Sequence, residues 1–214
     1  MISRTSSANH TLRNAKKAPC LTCLWAMVLA VCMAHTAPAF GQVIQIDSIA
    51  ELQLIGNDPA YPLDGDYVLT QDIDASATAA WNSDAGFDPI GDSTTPFTGT
   101  LDGQGYVITG LTINRPGTDY VGLFGAVGAG GVVQNLGLDG GEVTGENNVG
   151  GLVGYNWGGT VSQCYATGAV AGSYEVGGLV GYNDCGTVFQ CYATGAVTGT
   201  DRVGGLVGYN YYGT

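Results

Sequence analysis

Five tyrosines occupy two repeating positions: Tyr155, Tyr182 and Tyr209 at one, Tyr165 and Tyr192 at the other, each 27 residues from the next. Phenol rings brought side by side present apolar faces beside hydrogen-bonding edges, which suits a neutral sugar or a protein surface. The same arrangement stabilises stacked strands with no ligand at all. Cys164 and Cys191 share the 27-residue spacing. In adjacent strands about 4.8 Å apart their Cβ atoms stay somewhat too far apart for a disulfide, so the spacing favours small buried thiols. Asp64/Asp66, Asp72/Asp74 and Asp92/Asp102 are oxygen donors of the kind calcium takes, but no EF-hand spacing joins them. No acidic residue occupies a repeated position flanked by other polar groups, so the carboxylate pair of a glycosidase is not indicated.

The residues that are missing narrow the chemistry further. Both histidines, His10 and His35, and both lysines, Lys16 and Lys17, lie in the first 35 positions. Beyond them the chain holds no base for a Ser/His or Cys/His pair and no histidines for an H-E-x-x-H zinc site. The reading is therefore non-enzymatic, with no catalytic residue and no cofactor other than calcium as an alternative. Four of the six basic residues also fall in the first seventeen positions, and every acidic residue lies from Asp47 onward. Removing that leader takes the formal charge from −12 to −16 by the loss of four positive charges. Nucleic acid and anionic membranes are excluded as partners, because both are bound by basic patches.

What positions the tyrosines is a repeat. VGGLVGYN occurs unchanged at 149–156, 176–183 and 203–210, and TVSQCYATGAV at 160–170 returns as TVFQCYATGAV at 187–197. A unit of this size cannot bury its own apolar face, so it must stack on its neighbours as a solenoid. Three short strands separated by Gly/Asn turns are expected per unit: 151–155, 160–166 and 168–171. Alternation from Cys164 puts Cys164, Ala166, Gly168 and Val170 inward and Tyr165 outward. Leu152, Leu179 and Leu206 are the large interior residues of the first strand, and Val153 and Tyr155 take the opposite face. Asn156, Asn183 and Asn210 are expected to stack as an amide ladder. Three strands per turn make a parallel β-helix; leucine-rich repeats are rejected because each unit has one leucine.

Residues 1–39 read as a secretory signal: a basic start, an apolar run over 20–34, and Ala37-Pro38-Ala39 as the cleavage site, with a cut after Gly41 as the alternative. Export to the outside or to the cell surface follows. Residues 40–66 are expected to form an N-terminal cap, with a helix from Ser48 to Leu54 opened by the capping box Ser48/Glu51. Residues 67–148 are degenerate coils. Phe97 to Ile108 reads as two short strands round a tight turn, and Val121-Gly122-Leu123-Phe124-Gly125 as a worn copy of the repeat opening. Residues 149–214 are the 27-residue repeats, the last one truncated.

The Gly151-Leu152-Val153-Gly154 core, its two copies and the TVSQCYATGAV continuation resemble the GLUG motif. The Asp72-Ile73-Asp74, Pro89-Ile90-Gly91 and FTGTLDGQGYVITGL segments resemble the coils that precede such repeats in secreted bacterial proteins. The resemblance implies an all-β, right-handed parallel β-helix, as in adhesins of the filamentous-haemagglutinin type and the non-catalytic part of immunoglobulin-A peptidases. It implies no catalytic residue. The function expected is a secreted or cell-surface adhesion, binding or stalk module, with a neutral glycan or a cell-surface protein as partner. The alternative is the non-catalytic N-terminal part of a larger secreted peptidase or polysaccharide-active enzyme.

Overall fold

Glycine and β-branched residues at a fixed period leave the chain one way to bury its apolar side chains, which is to coil and stack. The computed structural model describes residue 41 and residues 43–214; the signal segment read over 1–39 lies outside the described residues. The chain winds through five parallel sheets in a fixed order and returns to the first. The first sheet holds six strands: Ile44–Ile46, Asp66–Leu69, Thr100–Asp102, Val132–Gln134, Thr160–Ser162 and Thr187–Phe189. The second runs from Ile73–Asp74 to Tyr192–Ala193, and the third from Thr112–Asn114 to Val197–Thr198. The fourth stacks Asn147–Gly150, Tyr174–Gly177 and Asp201–Gly204. The fifth stacks Phe124–Val127, Val153–Trp157, Val180–Asp184 and Val207–Tyr211. All pairings between these strands are parallel, and those within the repeats are in register, with Val153 opposite Val180 and Val180 opposite Val207. This is a parallel β-solenoid of about six turns with almost no helix.

Two sequence expectations are corrected and one is met. A repeat coil has five short strands, not three: the stretch 160–166 breaks at Gln163, and Asn147–Gly150 is a strand in its own right. The break has a backbone cause, since Gln163 lies in the left-handed region at φ 55°, as do Asn148 at 54° and Gly158 at 73°. Gln163 and Gly158 turn the chain from one sheet into the next, and Asn148 interrupts the pairing inside Asn147–Gly150. The two short strands expected round a tight turn form as Thr100–Asp102 and Val107–Thr109, and they pair with neighbouring coils in the first and second sheets. Val153 is fully buried rather than outward. Strict alternation fails there because the fourth and fifth sheets fold back on one another through the Gly-Gly-Leu turn. The approach is so close that a Cβ on Gly181 would sit 2.6 Å from the Asn148 carbonyl carbon. Only glycine fits there, and Gly150, Gly154, Gly177 and Gly208 are equally confined by backbone.

The interior is a continuous apolar column. Val149, Leu152, Val153, Val176, Leu179 and Val180 are buried, and each contributes roughly 1.5–3 kcal/mol by leaving water. The Leu152 N–H donates to the Leu179 carbonyl at 3.0 Å, and the Leu179 N–H to the Leu206 carbonyl at 2.9 Å, so the three leucines lie in line. Leu206 is only half-buried. Near the start of the described chain one helical turn, Ile49–Leu52, is N-capped by the Ser48 side chain, which accepts from the Glu51 N–H. It ends two residues before the expected Leu54 and buries Ile49 and Leu52.

Candidate ligand-facing surface

The five tyrosines named from the sequence lie on two different sheets. Tyr155, Tyr182 and Tyr209 belong to the fifth sheet, and Tyr165 and Tyr192 to the second. Within each set the rings are stacked by register. Tyr155 and Tyr182 have centroids 5.3 Å apart, Tyr182 and Tyr209 5.2 Å, and Tyr165 and Tyr192 5.0 Å with planes only 5° from parallel. Stacking covers most ring faces with other rings. What remains for a partner is the ring edges, the hydroxyls, and the open face at the end of each stack.

The fifth-sheet column is longer than the sequence indicated and largely engaged with itself. Tyr120 extends it at one end, 5.6 Å from Tyr155, and Tyr211 at the other, 6.3 Å from Tyr209. Tyr120 escapes sequence reading because it is 35 residues from Tyr155, outside the 27-residue period. It reaches the column from a left-handed position, φ 60°, at the corner before Val121, the bridge partner of Val149. Asn148, Glu175 and Arg202 hold the corresponding left-handed position within the fourth-sheet strands of later coils. Arg202 pairs with Glu175 and lays its guanidinium 4.4 Å from the Tyr209 ring centre. Their 27-residue spacing and opposite charge were legible signals. The Tyr155 hydroxyl donates to Asp184 at 3.1 Å. Burial and this hydrogen bond push the Tyr155 phenol up to about 12.

The second-sheet pair is more open. The register partner of Tyr165 in the preceding coil is Gly137, and the ring lies over that glycine, where a Cβ would collide with it. Tyr192 is 53% exposed. Burial, reinforced by the neighbouring Tyr192 and Asp139, raises the Tyr165 pKa, so its hydroxyl is a neutral donor and acceptor at ordinary pH. Around Gly137 the surface forms a shallow, open depression, lined among others by Asp102, Gln104, Asn135 and Gln163. Asp102 is already engaged there. It accepts from Asn135 at 3.0 Å, Gln134 at 3.1 Å and the Gln104 N–H at 2.8 Å. Burial works against the charge, but these hydrogen bonds outweigh it and hold the carboxyl below its ordinary range. The Gln104 and Gln163 side chains lie exposed at the rim. Carboxamides and phenols here lie among the carboxylates of Asp102, Asp139 and Asp72, a hydrogen-bonding surface that repels anions.

The remaining candidates hold structural positions. Cys164 is buried, Cys191 half-buried, and both are free thiols. Asp72 accepts from the Val107 N–H at 2.9 Å and Asp74 from the Ser76 N–H at 2.9 Å. Asp92 accepts from the backbone and hydroxyl groups of Thr94 and Thr95, which lower its pKa to about 2. Among the described residues no three His, Cys, Asp or Glu side chains are gathered as for a metal.

The GLUG motif matches residues 145–171 and 172–198, the two full coils that carry Tyr155, Tyr165, Tyr182 and Tyr192. Halomucin of Haloquadratum walsbyi is 46% identical over 129 residues, 58% of this chain. A protein of Evansella cellulosilytica described as a "Putative Gly-rich membrane protein" is 44% identical over 95 residues, 43% of this chain. The matches span 1% and 11% of those two proteins. The fold is shared with a crystal structure from Bacteroides ovatus described as a "putative immunoglobulin A1 protease", with a TM-score of 0.54 and 21% identity over 78% of this chain and 61% of that one.

Proposed function

We propose that this GLUG-repeat solenoid is a non-enzymatic module of the cell surface or the extracellular space, serving as a stalk that also adheres to neutral partners. The observation that carries the reading is where the repeated polar side chains are spent. Tyrosines and asparagines recur coil after coil, and they satisfy one another along the axis instead of converging on a reacting atom. A relative called halomucin and one described as a membrane protein support a surface location. The helical turn Ile49–Leu52 acts in this reading as the cap of the first coil, with Ile49 and Leu52 against the column and Glu51 toward water. The coil is taken to be right-handed. No cofactor is assigned.

The partner that fits the Tyr165/Tyr192 face is a neutral glycan or an uncharged patch of a cell-surface protein, since the surface offers hydroxyls and amides and the chain is acidic. A second reading, the non-catalytic part of a longer enzyme, is favoured by the solenoid likeness to the Bacteroides ovatus chain. Incubating the folded chain with neutral polysaccharides and with protein substrates tests the proposal, by measuring retention and turnover side by side. Retention without turnover is expected; turnover by the purified chain overturns the non-enzymatic reading.

A further inference from the structure

Cys164 and Cys191 sit one coil apart at a corner between sheets. Thr160–Ser162 ends before Cys164 and Tyr165–Ala166 begins after it, and Cys191 likewise falls between Thr187–Phe189 and Tyr192–Ala193. Each follows a residue in the left-handed region, Gln163 at φ 55° and Gln190 at 52°. The geometric objection to a disulfide rests on parallel Cβ vectors within paired strands. The two cysteines lie between the register pairs Ser162–Phe189 and Tyr165–Tyr192, so joining them requires the side chains to turn toward each other out of their present stacking. The Cys164 N–H donates to the Cys191 Sγ at 3.4 Å, so the Cys191 sulfur already occupies the space between the two coils. The Cys164 sulfur lies 3.1 Å from the Ser162 carbonyl and 3.7 Å from the Val133 carbonyl of the preceding coil.

We propose that Cys164 and Cys191 are an oxidisable pair, thiols in the present state and joined as an inter-coil disulfide when a small-molecule disulfide such as oxidised glutathione reaches the chain. Half-buried Cys191 reacts first. Its thiolate attacks one glutathione sulfur, the glutathione S–S bond breaks, and one glutathione thiolate leaves. Cys164 then gives up its proton and attacks the Cys191 sulfur, expelling the second glutathione thiolate as the Cys164–Cys191 bond forms. Two protein thiols are oxidised, one glutathione disulfide is reduced to two thiols, and the two cysteine protons end on the two glutathiones. The order follows the surroundings. Contact with the Cys164 thiol and N–H lowers the proton affinity of Cys191, while the same contact and burial raise that of Cys164. The product ties the outer coil to the one inside it.

The test is peptic digestion at low pH and mass spectrometry after incubating the folded full chain with oxidised glutathione. The two peptides are distinguishable, because Ser162 precedes one cysteine and Phe189 the other. The expected product is a peptide pair, Cys164 with Cys191, two hydrogens lighter than the sum and separated by reductant, together with a raised thermal midpoint. In a Cys164→Ser chain, Cys191 should carry glutathione instead, and circular dichroism reports whether that variant is folded. A parent chain in which Cys191 carries glutathione and Cys164 stays free overturns the proposal. So does a bond from Cys185 to either cysteine.

Discussion

The side-chain nitrogen of Asn156 donates to the side-chain oxygen of Asn183 at 2.7 Å, and Asn183 repeats the contact onto Asn210 at the same distance. Each nitrogen also donates to a glycine carbonyl three residues on, at Gly159, Gly186 and Gly213. A Cβ at Gly186 would run into the Asn156 and Asn183 amides, so the glycine and the ladder require each other. The ladder starts abruptly: the register partner of Asn156 in the preceding coil is Val127, and the Asn156 Oδ1 is buried with no partner.

That asymmetry makes two equivalent asparagines unequal. Asn183→Val strips a partner from Asn156 and from Asn210 and is expected to cost about 3 kcal/mol. Asn156→Val copies Val127 and exchanges the orphaned Asn156 oxygen for an unpartnered Asn183 oxygen, so its expected cost is smaller, about 1–2 kcal/mol. Urea unfolding of the two variants gives the comparison; equal costs would rule out the ladder's polarity.

Leu179→Ala empties part of a fully buried column and is expected to cost about 3 kcal/mol. Leu206→Ala, at the half-buried end of the same line, should cost distinctly less. The difference in urea midpoint between these chemically identical changes reads the depth of each leucine.

Cys185 stands at φ 56° where the preceding coil has Gly158 at φ 73°. A left-handed conformation costs a residue with a Cβ about 1 kcal/mol. Cys185→Gly should therefore raise stability by about that amount, and Cys185→Val should lower it. A thermal melt in which Gly is no better than Cys would show that the corner carries no strain.

Much of this solenoid was legible in the sequence, because identical residues at a constant period must occupy identical environments. Leu152, Leu179, the Asn156 ladder and the two tyrosine sets follow from that alone. The number of strands per coil did not, since Gln163 carries no mark of the left-handed backbone it adopts; a glycine there would have. Nor did the burial of Val153, which depends on the closeness of two sheets rather than on alternation. Tyr120 and the depression around Gly137 stayed hidden because the degenerate coils contribute them at irregular offsets.

The Tyr155 phenol is raised above its ordinary value, first by burial and then by donation to Asp184. A raised folded pKa means the neutral form stabilises the fold. That contribution is complete below the ordinary tyrosine value near pH 10 and is lost as pH rises through about 12. Tyr155→Phe should flatten the fall in stability over this alkaline window. An unchanged profile would place the titration elsewhere.

Replacing Tyr165 and Tyr192 together by Phe keeps the 5.0 Å ring stack and removes only the two hydroxyls. The measurement that bears most directly on adhesion is equilibrium retention of the parent and this double variant on immobilised neutral glycans and cell-surface proteins, with thermal midpoints recorded in parallel. Two lost hydrogen bonds of about 1 kcal/mol each predict a weakening of at least about tenfold at a nearly unchanged midpoint. No retention of the parent, or equal retention of both chains, would contradict the account.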